Sequence, residues 1–367
     1  MTDGPVGVGV IGAGVISTQY LENLTTFPDL RVLFVADIDP DRARAQAAKF
    51  GLPGSGSVEE LLAHTDIEIV VNLTIPAAHA EVSMRAVQAG KHVWSEKPFS
   101  TDRAGGRALL EAAHDRGLRV ACAPDTILGA GLQTAQRLIQ DGRIGEPLTA
   151  ITMMQASGPE AWHPNPDFLY AVGGGPLFDM GPYYVTTLVL NLGPVKRVAA
   201  LGSTALARRT IATGPRAGET FPVEVPTHVS ALIEFEDGAS AQCVFSFQSS
   251  IQRQGFVEIS GTEGAIVLPD PNRFEGESRI HTDGRARPQV VRSRGVTTTR
   301  GTGVLELARA IRAGVPERAS GELGYHVVDV MLAIVEAVDT GEFVTVESTV
   351  TPPAPLPLDF DPRARTL

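Results

Sequence analysis

Val8-Gly9-Val10-Ile11-Gly12-Ala13-Gly14-Val15-Ile16-Ser17 is the stretch on which the fold is decided. An apolar run of strand character ends at Ile11, a glycine turn follows, and helical sequence begins beyond it. Free N–H groups at the start of that helix, reinforced by its dipole, favour a pyrophosphate there. Gly12 supplies the tight turn, Gly14 lets a phosphate approach, and Ser17 stands where a third glycine or alanine is usual. The backbone of Gly12, Ala13, Gly14, Val15 and Ile16 is therefore expected to hold a dinucleotide. A second apolar run, Val32 to Asp37, ends in a carboxylate about 20 residues beyond the motif, where it can hold both ribose hydroxyls. Such a carboxylate repels a 2'-phosphate, so NAD is the expected cofactor, while Arg42 in the next helical turn leaves NADP use open.

The same alternation of strand and helix continues through the first 125 residues. Strands are expected at Val6 to Ile11, Val32 to Asp37, Ile69 to Leu73, His92 to Ser95 and Arg119 to Cys122. Helices are expected at Asp41 to Phe50, Ala78 to Ala89 and Asp102 to Arg116, each followed by a glycine suited to a C-cap. Ser57 and Glu60 read as a capping box. This is the pattern of a parallel sheet covered on both faces, an α/β Rossmann domain over residues 1–125. From about Leu148 longer strands alternate strictly, as in Val229, Ala231, Ile233, Phe235 and again in Ala239, Ala241, Cys243, Phe245, Phe247, with Asp237-Gly238 as the hairpin turn between them. A second turn, Gly261 to Gly264, separates Phe256 to Ser260 from Ala265 to Leu268. Helices follow at Val304 to Ile311 and Tyr325 to Val338. Residues 126–367 are thus expected to form an α+β domain with a large, mainly antiparallel sheet. The open face of that sheet calls for a homo-oligomer, a dimer or tetramer.

Composition narrows the function. A formal charge of -11 disfavours nucleic acid, whose binding needs a basic surface. No apolar run is long enough to span a bilayer and the N-terminus lacks the features of a signal peptide, so a cytoplasmic protein without a membrane partner is expected. Cys122 and Cys243 sit alone in apolar runs and read as core residues. The scattered histidines offer no metal-ligand spacing, so no metal site is expected. Arg279, Arg285, Arg287, Arg292, Arg294 and Arg300 read as a solvated loop or hairpin.

Further segments follow in order: Thr74-Ile75-Pro76 with His79, Ala89-Gly90-Lys91-His92-Val93 leading to Glu96-Lys97-Pro98, and Gly173-Gly174-Gly175-Pro176-Leu177-Phe178-Asp179-Met180-Gly181. With the glycine turn they make nearly the whole chain similar to the Gfo/Idh/MocA family of sugar and cyclitol dehydrogenases. The resemblance implies a nicotinamide between the two domains, cofactor contacts at Thr74, Pro76, His79, Glu96 and Lys97, and Lys97 and Asp179 facing a substrate carbinol. It departs from the family where histidine usually follows the aspartate by four residues, because Tyr183 stands there, followed by Tyr184. It departs again at Ala123-Pro124-Asp125-Thr126, where many members carry a polar segment with arginine or asparagine.

Oxidation of a secondary alcohol needs a group to take the hydroxyl proton as hydride leaves carbon. Tyrosine, with an ordinary pKa of roughly 10, serves as that base when a neighbouring ammonium favours the phenolate. Tyr183 is therefore the expected base, with Lys97 orienting the hydroxyl and Asp179 holding a substrate hydroxyl or keeping Lys97 charged. The alternative is a neutral Lys97 in a desolvated site. Each residue also has a plainer reading. Tyr183 and Tyr184 begin an apolar helix, Tyr183 to Leu192, where aromatics usually pack. His79 suits a surface cap as well as a cofactor contact, His163 a solvated loop as well as a substrate contact, and Asp125 a turn cap as well as a polyol contact. The expected activity is an NAD-dependent dehydrogenase of a sugar, sugar derivative or cyclitol. Its competitors are a dinucleotide-sensing regulatory protein without turnover and a reductase of an imine or an unsaturated ring.

Overall fold

The computed structural model describes residues 4–367. The first sheet is built from β1 (Val6–Ile11), β2 (Leu30–Ala36), β3 (Gly54–Gly56), β4 (Ile69–Asn72), β5 (His92–Ser95) and β6 (Val120–Cys122), with α1 (Val15–Leu24), α2 (Pro40–Phe50), α3 (Val58–Ala63), α4 (His79–Gln88) and α5 (Arg103–Asp115) between them. All its pairings are parallel and the strand order is β3-β2-β1-β4-β5-β6, the doubly wound order that places a dinucleotide at the carboxyl ends of the strands. β1 is buried at all six positions, as a strand covered on both faces must be. Ser57 and Glu60 make the reciprocal capping box, and Gly51 ends α2 in the left-handed conformation. β3 has no counterpart in the sequence reading, because Gly-Ser-Gly carries no apolar alternation.

Beyond the first sheet come α6 (Ala130–Gln140), β7 (Pro147–Gln155), α7 (Gly175–Leu192), β8 (Val195–Ser203), β9 (Arg208–Thr210), β10 (Thr220–Pro222), β11 (His228–Phe235), β12 (Ser240–Ser246), β13 (Arg253–Gly261), β14 (Ala265–Val267), β15 (Glu277–His281), β16 (Gln289–Arg292), α8 (Thr302–Ala313), α9 (Gly321–Thr340) and β17 (Val344–Thr345). Nine of these strands form a sheet in the order β16-β15-β14-β13-β7-β12-β11-β8-β17. The Asp237-Gly238 hairpin joins β11 to β12 as expected, with Gly238 at φ 87. The pairing of β7 with β12 is parallel, so the sheet is mixed and not purely antiparallel. One face packs on α7 through Ala231, Ile233, Ala241, Cys243 and Phe245. The other carries exposed Ile151, Leu201, Leu232 and Phe256.

Both cysteines are buried and free. α7 begins eight residues before the expected Tyr183, so Tyr183 and Tyr184 lie well inside it. Pro182 hid this, because a proline reads as a helix boundary, whereas here the helix continues through it with Thr186 Oγ1 donating to the Pro182 carbonyl.

The division into units also differs from a single cut near residue 125. The first unit comprises the chain up to Gly129, then Gly295–Tyr325 and Leu356–Leu367; the second comprises Ala130–Arg294 and His326–Pro355. Within the first, Arg309 and the N–H groups of Thr366 and Leu367 converge on the buried Asp29 carboxylate. Burial opposes the charge there, but these hydrogen bonds, the Thr366 hydroxyl's among them, hold the carboxyl below its ordinary range.

Candidate active site

Gly12 follows β1 with φ 105, and a Cβ there would lie 2.6 Å from the Leu73 carbonyl oxygen, so no other residue fits the turn. Gly14 precedes α1 with extended backbone, and no atom lies within 4 Å of a Cβ built on it. The folded chain itself therefore makes no demand for glycine at 14. Ser17 is buried, donating to the Gly14 carbonyl at 2.6 Å. Asp37, just past β2, accepts from the Ala13 N–H at 2.7 Å and from the Asp39 N–H at 2.9 Å, so its carboxylate is fixed against the glycine turn. Arg42 is drawn to Asp39 at 3.2 Å and to Asp37 at 3.9 Å, which engages the group that left NADP open. Ile38 and Ile75 are 94% and 60% exposed at the carboxyl ends of β2 and β4. These apolar side chains suit the faces of an adenine ring; Ile75 lies within the Thr74-Ile75-Pro76 segment, whereas no sequence pattern singles out Ile38.

The loops after β4 and β5 are tied together by buried polar groups. Asn72 accepts from Thr74 and donates to the His79 carbonyl and the Ser83 hydroxyl. His79 is neither a surface cap nor open to solvent. Its ring is buried, with Nδ1 2.7 Å from the Pro98 carbonyl and Nε2 2.9 Å from that of Thr74. A neutral imidazole has one N–H, so it donates to one of these carbonyls and not both; burial holds its pKa below the ordinary value. Glu96 accepts the Tyr20 hydroxyl at 2.7 Å on one oxygen and the Lys97 N–H at 3.1 Å on the other. The Lys97–Pro98 peptide is cis. Across residues 93–100, Lys97 alone is part-exposed.

Asp125 does not present a polyol-binding carboxylate. It is completely buried, accepting from Arg300 at 3.1 Å and from the Gly301 N–H at 2.8 Å. Burial pushes its carboxyl up against the pull of Arg300. Arg300 is correspondingly not part of a solvated arginine loop, although Arg279 and Arg292 do lie on the β15–β16 hairpin as expected.

In the second unit, α7 carries Asp179 and Tyr183 one turn apart on one face. Asp179 is the one part-exposed residue from 174 to 190, and Tyr183 is 5% exposed. Tyr184 is a packing residue. Its hydroxyl accepts the Gly255 N–H at 2.8 Å and its ring meets Phe245 edge-on. The loop before α7 places the His163 ring between Trp162 and Phe168, each 5.6 Å away, with Trp162 67% exposed. Beneath it Glu160 pairs with buried Arg209 at 2.5 Å and accepts the Tyr170 hydroxyl. Among the described residues no cluster of three His, Cys, Asp or Glu could hold a metal, and no helix is long and apolar enough to cross a membrane.

The model of the oxidoreductase family with an NAD-binding Rossmann fold matches residues 6–123, and that of the GFO/IDH/MocA C-terminal domain matches residues 132–267. The 1,5-anhydro-D-fructose reductase of Ensifer adhaerens is 26% identical over 358 residues, covering 93% of this chain and 98% of the relative. The levoglucosan dehydrogenase of Pseudarthrobacter phenanthrenivorans is 27% identical over 305 residues, covering 76% and 77%. A solved levoglucosan dehydrogenase in complex with NADH and L-sorbose shares the fold, with TM-score 0.83 at 23% identity over 94% of this chain and 99% of that one. With both halves matched by its models, the chain belongs to the Gfo/Idh/MocA family of NAD-binding oxidoreductases.

Proposed function

We propose that this chain is an NAD-dependent dehydrogenase that oxidises, or in reverse forms, a secondary hydroxyl of a sugar, sugar derivative or cyclitol. The observation that carries the reading is Lys97, a single part-exposed cation in a buried segment at the carboxyl end of a strand in a dinucleotide-binding sheet. Relatives named for an anhydro sugar, levoglucosan and inositol support the substrate class. NAD, when bound, supplies the hydride acceptor. The backbone from Gly12 to Ile16 binds its pyrophosphate, Asp37 the ribose hydroxyls, and Ile38 and Ile75 the adenine faces. Thr74, Pro76, His79 and Glu96 shape the cofactor's surroundings, His79 and Glu96 by fixing neighbouring backbone. Lys97 orients the substrate hydroxyl, Tyr183 takes its proton, and Asp179 holds a second hydroxyl; Lys97 itself is the competing proton acceptor. His163, with Trp162, contacts the sugar.

The uncovered face of the nine-stranded sheet supports a homo-oligomer, a dimer or tetramer, since Ile151, Leu201, Leu232 and Phe256 lie exposed there on four different strands. The reading places the protein in the cytoplasm, which cell fractionation checks.

A screen of NAD reduction across sugars and cyclitols tests the activity, and comparing Tyr183→Phe with Lys97→Met assigns the base. The loss expected on removing the proton acceptor is about 10²–10⁴-fold in kcat. Near-native kcat in Tyr183→Phe gives the role to Lys97. Tight NAD binding without turnover of any carbinol would sink the dehydrogenase and leave a dinucleotide sensor.

A further inference from the structure

Tyr20 lies in α1, completely buried, and its hydroxyl stands between Trp94 of β5 and the Glu96 carboxylate. Trp94 Nε1 lies 3.1 Å from the hydroxyl oxygen, and that oxygen lies 2.7 Å from Glu96 Oε1. An indole N–H can only donate, so the tyrosine oxygen accepts from Trp94 and its own proton goes to Glu96. The second carboxylate oxygen accepts the Lys97 N–H at 3.1 Å. Indole and phenol thus donate in succession to one oxygen of the Glu96 carboxylate while the Lys97 amide donates to the other, so the carboxylate links the Tyr20 hydroxyl to the peptide of Lys97.

Two physical facts make this link more than packing. Glu96 is only 9% exposed, and a buried carboxylate needs donors on its oxygens or it will move to find them. Burial and the nearby carboxylates of Glu96 and Asp125 push the Tyr20 phenol far above its ordinary range, so it stays an O–H donor at every working pH.

We propose that Tyr20 is a positioning residue for Lys97: its hydroxyl fixes the Glu96 carboxylate, which in turn fixes the peptide carrying the Lys97 side chain. Tyr20 does not touch substrate. Only the kinetic part of its test rests on the dehydrogenase reading above.

Amide hydrogen exchange on the cofactor-free protein gives the direct readout. In Tyr20→Phe the Lys97 amide is expected to exchange about tenfold faster or more, while amides of α5 stay within about twofold of the parent. Glu96→Gln is expected to speed the Lys97 amide to a similar extent, and adding Tyr20→Phe to it to change the rate by less than about twofold, because both act on one link. Turnover by Tyr20→Phe is expected to fall about tenfold in kcat with KM for NAD within about twofold. Lys97 exchange within about twofold of the parent, in Tyr20→Phe or in Glu96→Gln alone, overturns the proposal. Faster Lys97 exchange in a protein that turns over no polyol upholds the positioning and brings down the dehydrogenase reading instead.

Discussion

Residues 93–100 and residues 174–190 each leave one position part-exposed in an otherwise buried run, Lys97 in the first and Asp179 in the second, yet the two runs differ in what chiefly holds them. Around Lys97 the anchors are polar: Glu96 on Tyr20, His79 against the Pro98 carbonyl, and Asp125 on Arg300 in the same unit. Along α7, which carries Asp179, apolar packing dominates, with Leu188 and Val189 fully buried and the helix packed on β7, β11 and β12. Hydrogen bonds fix direction but depend on protonation. Apolar packing depends on volume and is indifferent to pH.

The largest effect is expected from breaking the polar side. Arg300→Met leaves the buried Asp125 carboxylate without its cation and is expected to cost about 3–5 kcal/mol near neutral pH, measured by denaturant unfolding. Asp125 already has a raised carboxyl pKa from burial, and losing Arg300 raises it further. A carboxyl raised in the folded state costs nothing below its unfolded pKa of about 3.9 and destabilises increasingly as pH rises through the folded value. The deficit should therefore widen from pH 4 toward pH 8, and a deficit independent of pH would show that Asp125 is not the cause. On the apolar side, Leu188→Ala is expected to cost about 2–4 kcal/mol through the cavity it leaves. Here the same pH titration should give a flat difference, and a slope resembling that of Arg300→Met would erase the contrast. The smallest change in folding stability is expected from Leu232→Glu on the uncovered sheet face, within about 0.5 kcal/mol for the isolated subunit. Light scattering should nonetheless report a smaller particle than the parent, and an unchanged mass would remove this face from the assembly.

How much of this the sequence disclosed follows the range of the interactions. β1 and β5 match their expected bounds, and the capping box at Ser57 and the Asp237-Gly238 hairpin are present, because each is written within a few neighbouring residues. The parallel pairing of β7 with β12 is not written locally, nor is the start of α7 behind Pro182. At the site, Gly12, Gly14 and Asp37 carry a local spacing and stand together as that spacing implies. Asp125 misled because its partner is 175 positions away, and Tyr20 went unnoticed because Glu96 lies 76 positions beyond it. Nothing in the vicinity of either residue announces such a partner.

The first unit is interrupted: the chain leaves it after Gly129 and re-enters at Gly295. During synthesis Asp125 therefore emerges well before its countercharge Arg300 exists, and Trp94 well before Gly303, where an added Cβ would lie 2.0 Å from the indole. The NAD-binding half can assemble an early sheet but cannot close its core until the inserted half has been made. A fragment ending near residue 129 therefore lacks both the cation that pairs with Asp125 and the helix that covers Trp94.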